Sequence, residues 1–287
     1  MTRKISYLIF KLIFFINSIL EKIFRRNFLI YFKEFLEESS YKTIEVCNKK
    51  IIFFIPNFIT KWRVDSFYSK EPETLEWIDG FNNKDKIIFW DIGANIGLYS
   101  IYAASKFQNI DITAFEPSTS NLRILSRNIS INNLSDRIKI NQFPLTNEEN
   151  QFLNMLEPEF IEGWSMNSFG ENIDFEGKPF TPKNKYKVYG TSINYLLENK
   201  ILEIPDYIKI DVDGIEHLIL KGSLNFLKEK KIKSISVELN ERFEEQFNEV
   251  INIMKISNFY LKHKKHCEEL DKSIKFSKLY NFVFEKK

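Results

Sequence analysis

The sequence predicts a doubly wound α/β fold built on a mostly parallel sheet. Two observations lead there. The apolar run 87–90 ends in Asp91 and opens into a turn with glycines at 93 and 97, followed by a stretch with helical patterning. From that point strand and helix patterns alternate, as they do in a parallel sheet with right-handed crossovers. A strand that feeds a glycine turn and a helix start is where such a sheet receives a nucleotide-like ligand.

Taken in order, the chain begins with residues 5–20, mostly apolar but broken by Lys11. That is shorter than the ~20 apolar residues a spanning helix needs. Lys4, Lys11, Ser18 and Arg25 recur every seven residues and share one narrow helical stripe, with Lys22 beside them. No small-residue cleavage site follows, so no signal peptide is expected. Three readings stand: an amphipathic anchor lying on a membrane through residues 5–24, a helix that packs its apolar face on the rest of the chain or on a second subunit, or a true span. Runs 43–47 and 51–55, joined by Asn48-Lys49-Lys50, read as a hairpin, with Pro56 ending the second. Glu71-Pro72-Glu73-Thr74 suits a helix start, with proline in the first turn and acids at the positive dipole end. Arg63, Asp65, Tyr68 and Lys70 precede it and are candidates to reach over a ligand.

The alternation then runs strand 87–92, helix 97–106, strand 111–115, helix 119–131 with Leu122, Leu125 and Ile129 on one face, and strand 138–145. Residues 146–190 break the rhythm with scattered glycines and prolines and read as an inserted hairpin and loop region on the substrate side. Helix 192–199, strand 207–212, helix 215–230, strand 234–239 and helix 241–256 follow, then apolar runs at 259–262 and 279–285. The expected organisation is a helical segment 1–40, a hairpin and helix preface 41–80, and a main domain 81–287 carrying the insertion 146–190.

Composition narrows the function classes. A net charge of +2 over 287 residues argues against a nucleic-acid partner, which a basic excess would favour. The two cysteines, Cys47 and Cys267, are far apart and fit a reducing compartment, the cytoplasm, rather than a disulfide framework or structural zinc.

At the turn, Gly93 and Gly97 let the backbone pass close to a ligand. Asp91 can organise the turn or accept from a cationic amine. Glu116, nineteen residues past Gly97, ends the next strand, where a carboxylate accepts from ribose hydroxyls. The spacing Gly93-x-x-x-Gly97 departs from the dinucleotide fingerprint, so no pyrophosphate cradle is supplied. An adenosine ligand without a pyrophosphate fits better.

Asp91-Ile92-Gly93-Ala94-Asn95-Ile96-Gly97-Leu98-Tyr99 resembles the first motif of the FkbM family of S-adenosylmethionine-dependent methyltransferases. Phe115-Glu116-Pro117, with Asn121 and Asn128, resembles its second; residues 207–216, continued by Leu220-Lys221-Gly222, resemble its fourth-strand signature; Val237-Glu238-Leu239-Asn240 resembles its fifth strand. The likeness runs from about residue 71 to the end. It implies a seven-stranded Rossmann-like methyltransferase sheet closed by an antiparallel hairpin from the last two runs. It also implies S-adenosyl-L-methionine as cofactor, held by Asp91, Gly93, Asn95, Gly97 and Glu116, and a hydroxyl of a sugar, glycan or natural-product intermediate as acceptor. Asp213 stands where the family more often has Glu, and Ser192-Ile193-Asn194 where it often has Leu-Asp-Asp, so any role for acids there is lost.

Lys209, Asp211 and Asp213 alternate and share one face if the strand runs that far. O-methylation needs a group to take the hydroxyl proton. Asp211 is the first candidate for base or orienting group, then Glu216 and His217; Asp213 and Trp164 are candidates for substrate contact, with Phe169 and Tyr189 as further stacking aromatics. Asp211, Asp213, Glu238 and Asn240 offer hard oxygen ligands at strand ends, but no metal is part of the expected site. Two other readings remain open. A glycosyltransferase would use Asp211-Val212-Asp213 with a metal and a sugar diphosphate, leaving the glycine turn and Glu116 without a purpose. A non-catalytic methyltransferase-like protein would use the fold for binding or assembly.

Overall fold

A computed structural model describes residues 1–287, apart from the side chain of Glu269. The chain forms two compact units, Met1–Lys42 and Thr43–Lys287.

The first unit holds two helices, α1 (Thr2–Phe24) and α2 (Phe28–Glu38), where one helical segment was expected. Arg25 ends α1 in a left-handed conformation, φ 55°, and Asn27 caps α2 through the amide of Leu29. Asn17, buried in the middle of α1, accepts from the amides of Phe28 (2.8 Å) and Leu29 (3.1 Å) and so supplies a second cap to α2. No helix among the described residues is long and apolar enough to cross a membrane.

The predicted hairpin is present as β1 (Tyr41–Val46) and β2 (Lys49–Phe54). Its turn is Cys47-Asn48, both at positive φ, one step earlier than the polar triplet suggested. After α3 (Phe58–Asp65) and α4 (Pro72–Asp79) come β3 (Ile87–Ile92), α5 (Leu98–Lys106), β4 (Ile110–Phe115), α6 (Thr119–Ile131) and β5 (Ile138–Asn141). Asn128 and Asn132, one turn apart on α6, clamp the hairpin by accepting from the amides of Phe54 and Ile52 at 2.8 and 2.9 Å. The strand expected over 138–145 stops at Asn141, whose side chain turns the chain by accepting from the Phe143 amide (2.8 Å) ahead of Pro144, which has no N–H to give a ladder.

The irregular stretch forms its own antiparallel sheet from β6 (Gln151–Glu157), β7 (Ser168–Phe169) and β8 (Asn184–Gly190), in the order β7-β6-β8. Then follow α7 (Ile193–Glu198), β9 (Tyr207–Ile210), α8 (Glu216–Lys221), β10 (Ser234–Asn240), α9 (Glu244–Ile256), β11 (Phe259–Lys265), α10 (Glu268–Asp271) and β12 (Leu279–Lys286). The helix expected over 215–230 is only α8: Gly222 takes the C-cap, where a Cβ would meet the Thr146 carbonyl oxygen at 2.2 Å.

The main sheet has seven strands in the order β11-β12-β10-β9-β3-β4-β5. β10, β9, β3, β4 and β5 are parallel, and β12 is antiparallel to β10 and to β11. The predicted doubly wound sheet is therefore present, closed by the antiparallel pair. β3 is buried along its whole length, as a central parallel strand is when helices cover both faces. Strand order reverses between β3 and β9, which puts the ligand crevice at their carboxyl ends.

Candidate active site

A cavity of about 420 Å³ lies over those strand ends. Its floor is the turn after β3, the end of β4 and the turn after β9; its walls come from residues 62–73, from the 164–169 segment of the small sheet and from Glu238 on β10.

At one side, Gly93 has φ 86°, and a Cβ there would sit 1.8 Å from the Asp211 carbonyl oxygen. The turn passes so close to the end of β9 that only glycine fits. Asn95, also at positive φ, donates its amide to Glu116 Oε2 (2.7 Å). Glu116 Oε1 accepts from the Ser118 amide (2.9 Å). Burial raises the Glu116 pKa to about 7, against the pull of these amides. The Trp164 carbonyl accepts from the side-chain amides of Asn95 and Asn121, each at 3.0 Å, which fixes the small sheet over this end. Asn95 Oδ1 and Trp164 Nε1 are buried without a partner among the described residues.

Asp91 and Gly97 do not line the cavity. Asp91 is fully buried beneath it and accepts from the Ser100 amide (3.1 Å) and hydroxyl (2.6 Å) through one oxygen. Burial raises its pKa although Lys209 and Ser100 oppose the shift. Gly97, φ 88°, brings α5 onto α6: a Cβ there would meet Leu125 at 2.6 Å. Both organise the turn from behind.

At the other side, β9 ends at Ile210, so Asp211 and Asp213 sit in the turn and not on the alternating face of a strand. Asp213 is at φ 64° and accepts from the Met166 amide (2.6 Å). Its pKa is raised to about 6 by burial first and by Asp211 second. Asp211 is held by Lys209, itself buried, at 2.7 Å. Burial pushes the Asp211 pKa up, but Lys209 and Lys70 outweigh it and the carboxyl titrates below its ordinary range. Glu71 pairs with Lys70. Glu238 makes no salt bridge among the described residues, and burial together with the Asp211 and Glu71 charges raises its pKa well above that of an ordinary carboxyl. Oxygens of Glu71, Asp211 and Glu238 lie within 4.8 Å of one another. Such a trio has the donor chemistry for a hard divalent cation, yet Lys70 and Lys209 already balance two of its three charges.

Glu216 and His217 lie outside the cavity lining, which removes the reason for giving either a base role. Glu216 staples the turn: its oxygens accept from the amides of Val212 (3.0 Å) and Gly214 (3.1 Å) and from Gln246 of α9 (2.6 Å). Its pKa is raised to about 7, with burial the first cause. His217 is buried edge-on to Phe243. Of the preface candidates, Arg63 and Lys70 line the cavity, and Asp65 and Tyr68 do not. Glu71 reads in sequence as a helix-start acid only, and no local pattern marks it as a partner of residues on β9 and β10. Phe169 lines the cavity beside Trp164; Tyr189 packs outside it against Phe143 and Phe152.

Residues 91–266 match the model of the methyltransferase FkbM domain. The chain belongs to the FkbM methyltransferase family. Over 161 residues this FkbM-family chain is 26% identical to the hexuronic acid methyltransferase AglP of Haloferax volcanii, a match covering 53% of the chain and 56% of that protein. It is 29% identical over 177 residues to the methyltransferase sdnD of Sordaria araneosa, covering 54% of the chain and 68% of that protein. The match thus spans little more than half the length of the first of these relatives. Among solved structures, precorrin-6y C5,15-methyltransferase of Geobacter metallireducens overlaps 75% of the chain and 86% of its own at a TM-score of 0.43 and 14% identity, a loose likeness on which nothing further rests.

Proposed function

We propose that this chain is an S-adenosylmethionine-dependent O-methyltransferase acting on a hydroxyl of a sugar, glycan or natural-product intermediate. The observation that carries the reading is one cavity that joins the Gly93–Glu116 end to the carboxylates at the ends of β9 and β10. The first end suits the cofactor. Glu116 keeps acceptor capacity for ribose hydroxyls beyond the two amides it already holds. Asn95 Oδ1 and Trp164 Nε1 add an unused acceptor and donor, and Gly93 leaves the backbone bare. When bound, the cofactor supplies a methyl group on a cationic sulfur. The hexuronic acid named for AglP and the small-molecule scale of the cavity favour a hydroxylated acceptor.

The chain's own contribution is orientation and proton transfer. Lys209 and Lys70 keep Asp211 ionised, so Asp211 orients the acceptor hydroxyl by accepting its hydrogen bond. Glu238, without an ionic partner among the described residues and with a raised proton affinity, takes the proton as the oxygen is methylated. Arg63 and Trp164 line the same cavity from the preface and insertion sides.

Isothermal titration with S-adenosylmethionine, S-adenosylhomocysteine and a panel of sugar nucleotides tests the cofactor. Heat is expected only from the first two, and tight binding of a sugar nucleotide with none of the sulfur compounds overturns the reading. Incubation of candidate acceptors with isotopically labelled cofactor, followed by mass spectrometry, identifies the methylated class.

A further inference from the structure

The first unit exposes an amount of apolar surface that water-facing helices do not carry. From Met1 to Leu36, nineteen large apolar side chains are exposed, against thirteen among the other described residues. On α1 they cover all but the narrow stripe of Lys4, Lys11, Ser18 and Arg25: Tyr7, Leu8, Ile9 and Phe10 are consecutive, as are Phe14, Phe15 and Ile16. A helix apolar over so much of its circumference is normally buried in a core or in lipid. A dimerisation seam would be a single stripe.

Charge gives the second, independent observation. The first unit, Met1–Lys42, holds eight basic side chains and four acidic, leaving 33 basic and 35 acidic for the remainder. The near-neutral whole therefore hides a basic first unit and a slightly acidic second one. Five of the basic groups sit at the ends of α1, Arg3 and Lys4 at its start and Lys22, Arg25 and Arg26 at its end, beside the exposed Ile23, Phe24 and Phe28; Lys11 lies on its polar stripe. Basic and aromatic residues bordering an apolar segment are what an interfacial helix presents to lipid headgroups.

We propose that α1 and α2 form a monotopic anchor that lies in the surface of an anionic membrane, with Lys22, Arg25 and Arg26 on the headgroups. Asn17 makes the turn compatible with that setting. By accepting from the Phe28 amide it satisfies a donor at the start of α2 that would otherwise meet lipid unpaired, and it shares the Leu29 amide with Asn27. Since no described helix is long and apolar enough to cross, the pair dips into one leaflet only. The inference is independent of the methyltransferase chemistry.

The test is co-sedimentation of the full-length chain with vesicles of phosphatidylcholine alone and of phosphatidylcholine with about 30% phosphatidylserine. Binding to the anionic vesicles, weakening as salt is raised, is expected. The triple variant Lys22→Glu, Arg25→Glu, Arg26→Glu should lose at least about tenfold in vesicle affinity, while its cofactor titration matches that of the parent. Equal, salt-independent binding to both vesicles overturns the headgroup assignment. A soluble dimer by light scattering that ignores both vesicles overturns the anchor and assigns the apolar helices to a second copy. A failed cofactor titration in the parent would sink the catalytic reading and leave the vesicle result standing.

Discussion

Two glutamates at opposite ends of one cavity divide the work. Glu116 is fixed by the amides of Asn95 and Ser118 and faces the cavity from the end of β4. Glu116→Ala should weaken S-adenosylmethionine binding by roughly 1.5–3 kcal/mol, the scale of hydrogen bonds to a charged group, as read by isothermal titration; unchanged affinity would place the ribose elsewhere. Glu238→Gln should leave that affinity alone and lower kcat by about 10²–10⁴-fold, the usual contribution of a positioned base. Its acidic limb in the kcat profile should lie above the ordinary carboxyl range, in the direction of the raised Glu238 pKa; an unaltered kcat would pass the base role to Asp211. Glu116 was legible because strand, acid and proline follow each other in sequence. The trio around Glu238 was not: Glu71, Asp211 and Glu238 are far apart in the chain and meet only because β9 and β10 are neighbours and residues 62–73 fold over them.

At the scale of elements, α3 deserves its own test because it delivers Arg63 to the cavity wall. Asn57 accepts from the Thr60 amide (2.9 Å) and Thr60 returns the bond, a reciprocal cap, while the Asn57 amide also donates to the Glu162 carbonyl (3.0 Å) of the inserted region. Asn57→Ala should cost about 1–2 kcal/mol in chemical denaturation. It should also raise KM for the acceptor, since Arg63 Nε bonds to the carbonyl of Gly163 nearby. An unchanged denaturation midpoint would show the cap to be idle. Periodicity located the elements because apolar faces repeat at 3.6 or 2 residues. It overran their ends wherever a tertiary contact stops them, as at Gly222 against Thr146, at Asn141 before Pro144, and at Ile210, beyond which Glu216 binds the chain into a turn.

Over the whole molecule, the cavity and its underside gather carboxyls whose protons are held too tightly. Glu73, Asp91, Glu116, Asp213, Glu216 and Glu238 all have raised pKa values, with burial the first cause in each, up to about 7 for Glu116 and Glu216 and about 6 for Asp213. Between the ordinary carboxyl range and pH 7 the folded state therefore binds more protons than the unfolded one, and stability falls as pH rises. His217 and His263 are lowered and act in the opposite sense, but they are two against six. The thermal midpoint of the ligand-free protein should drop between about pH 5 and pH 7; a rise across that window would mean the carboxyls ionise freely. The sheet order was foreseeable because alternating strands and helices admit few topologies. The small sheet over the cavity was not, since its strands lie among glycines and prolines that read as loop.

Trp164 gives that small sheet an optical handle. Its indole lines the cavity with an N–H that has no partner among the described residues, while its carbonyl is pinned by Asn95 and Asn121. An indole so placed changes its emission when a neighbour binds its N–H or displaces water from its face. The other tryptophans are Trp62, which also lines the cavity, and Trp77 and Trp90, which are packed in the core. Intrinsic fluorescence of the unlabelled protein should thus follow filling and emptying of the pocket in real time, with Trp164→Phe removing most of the signal.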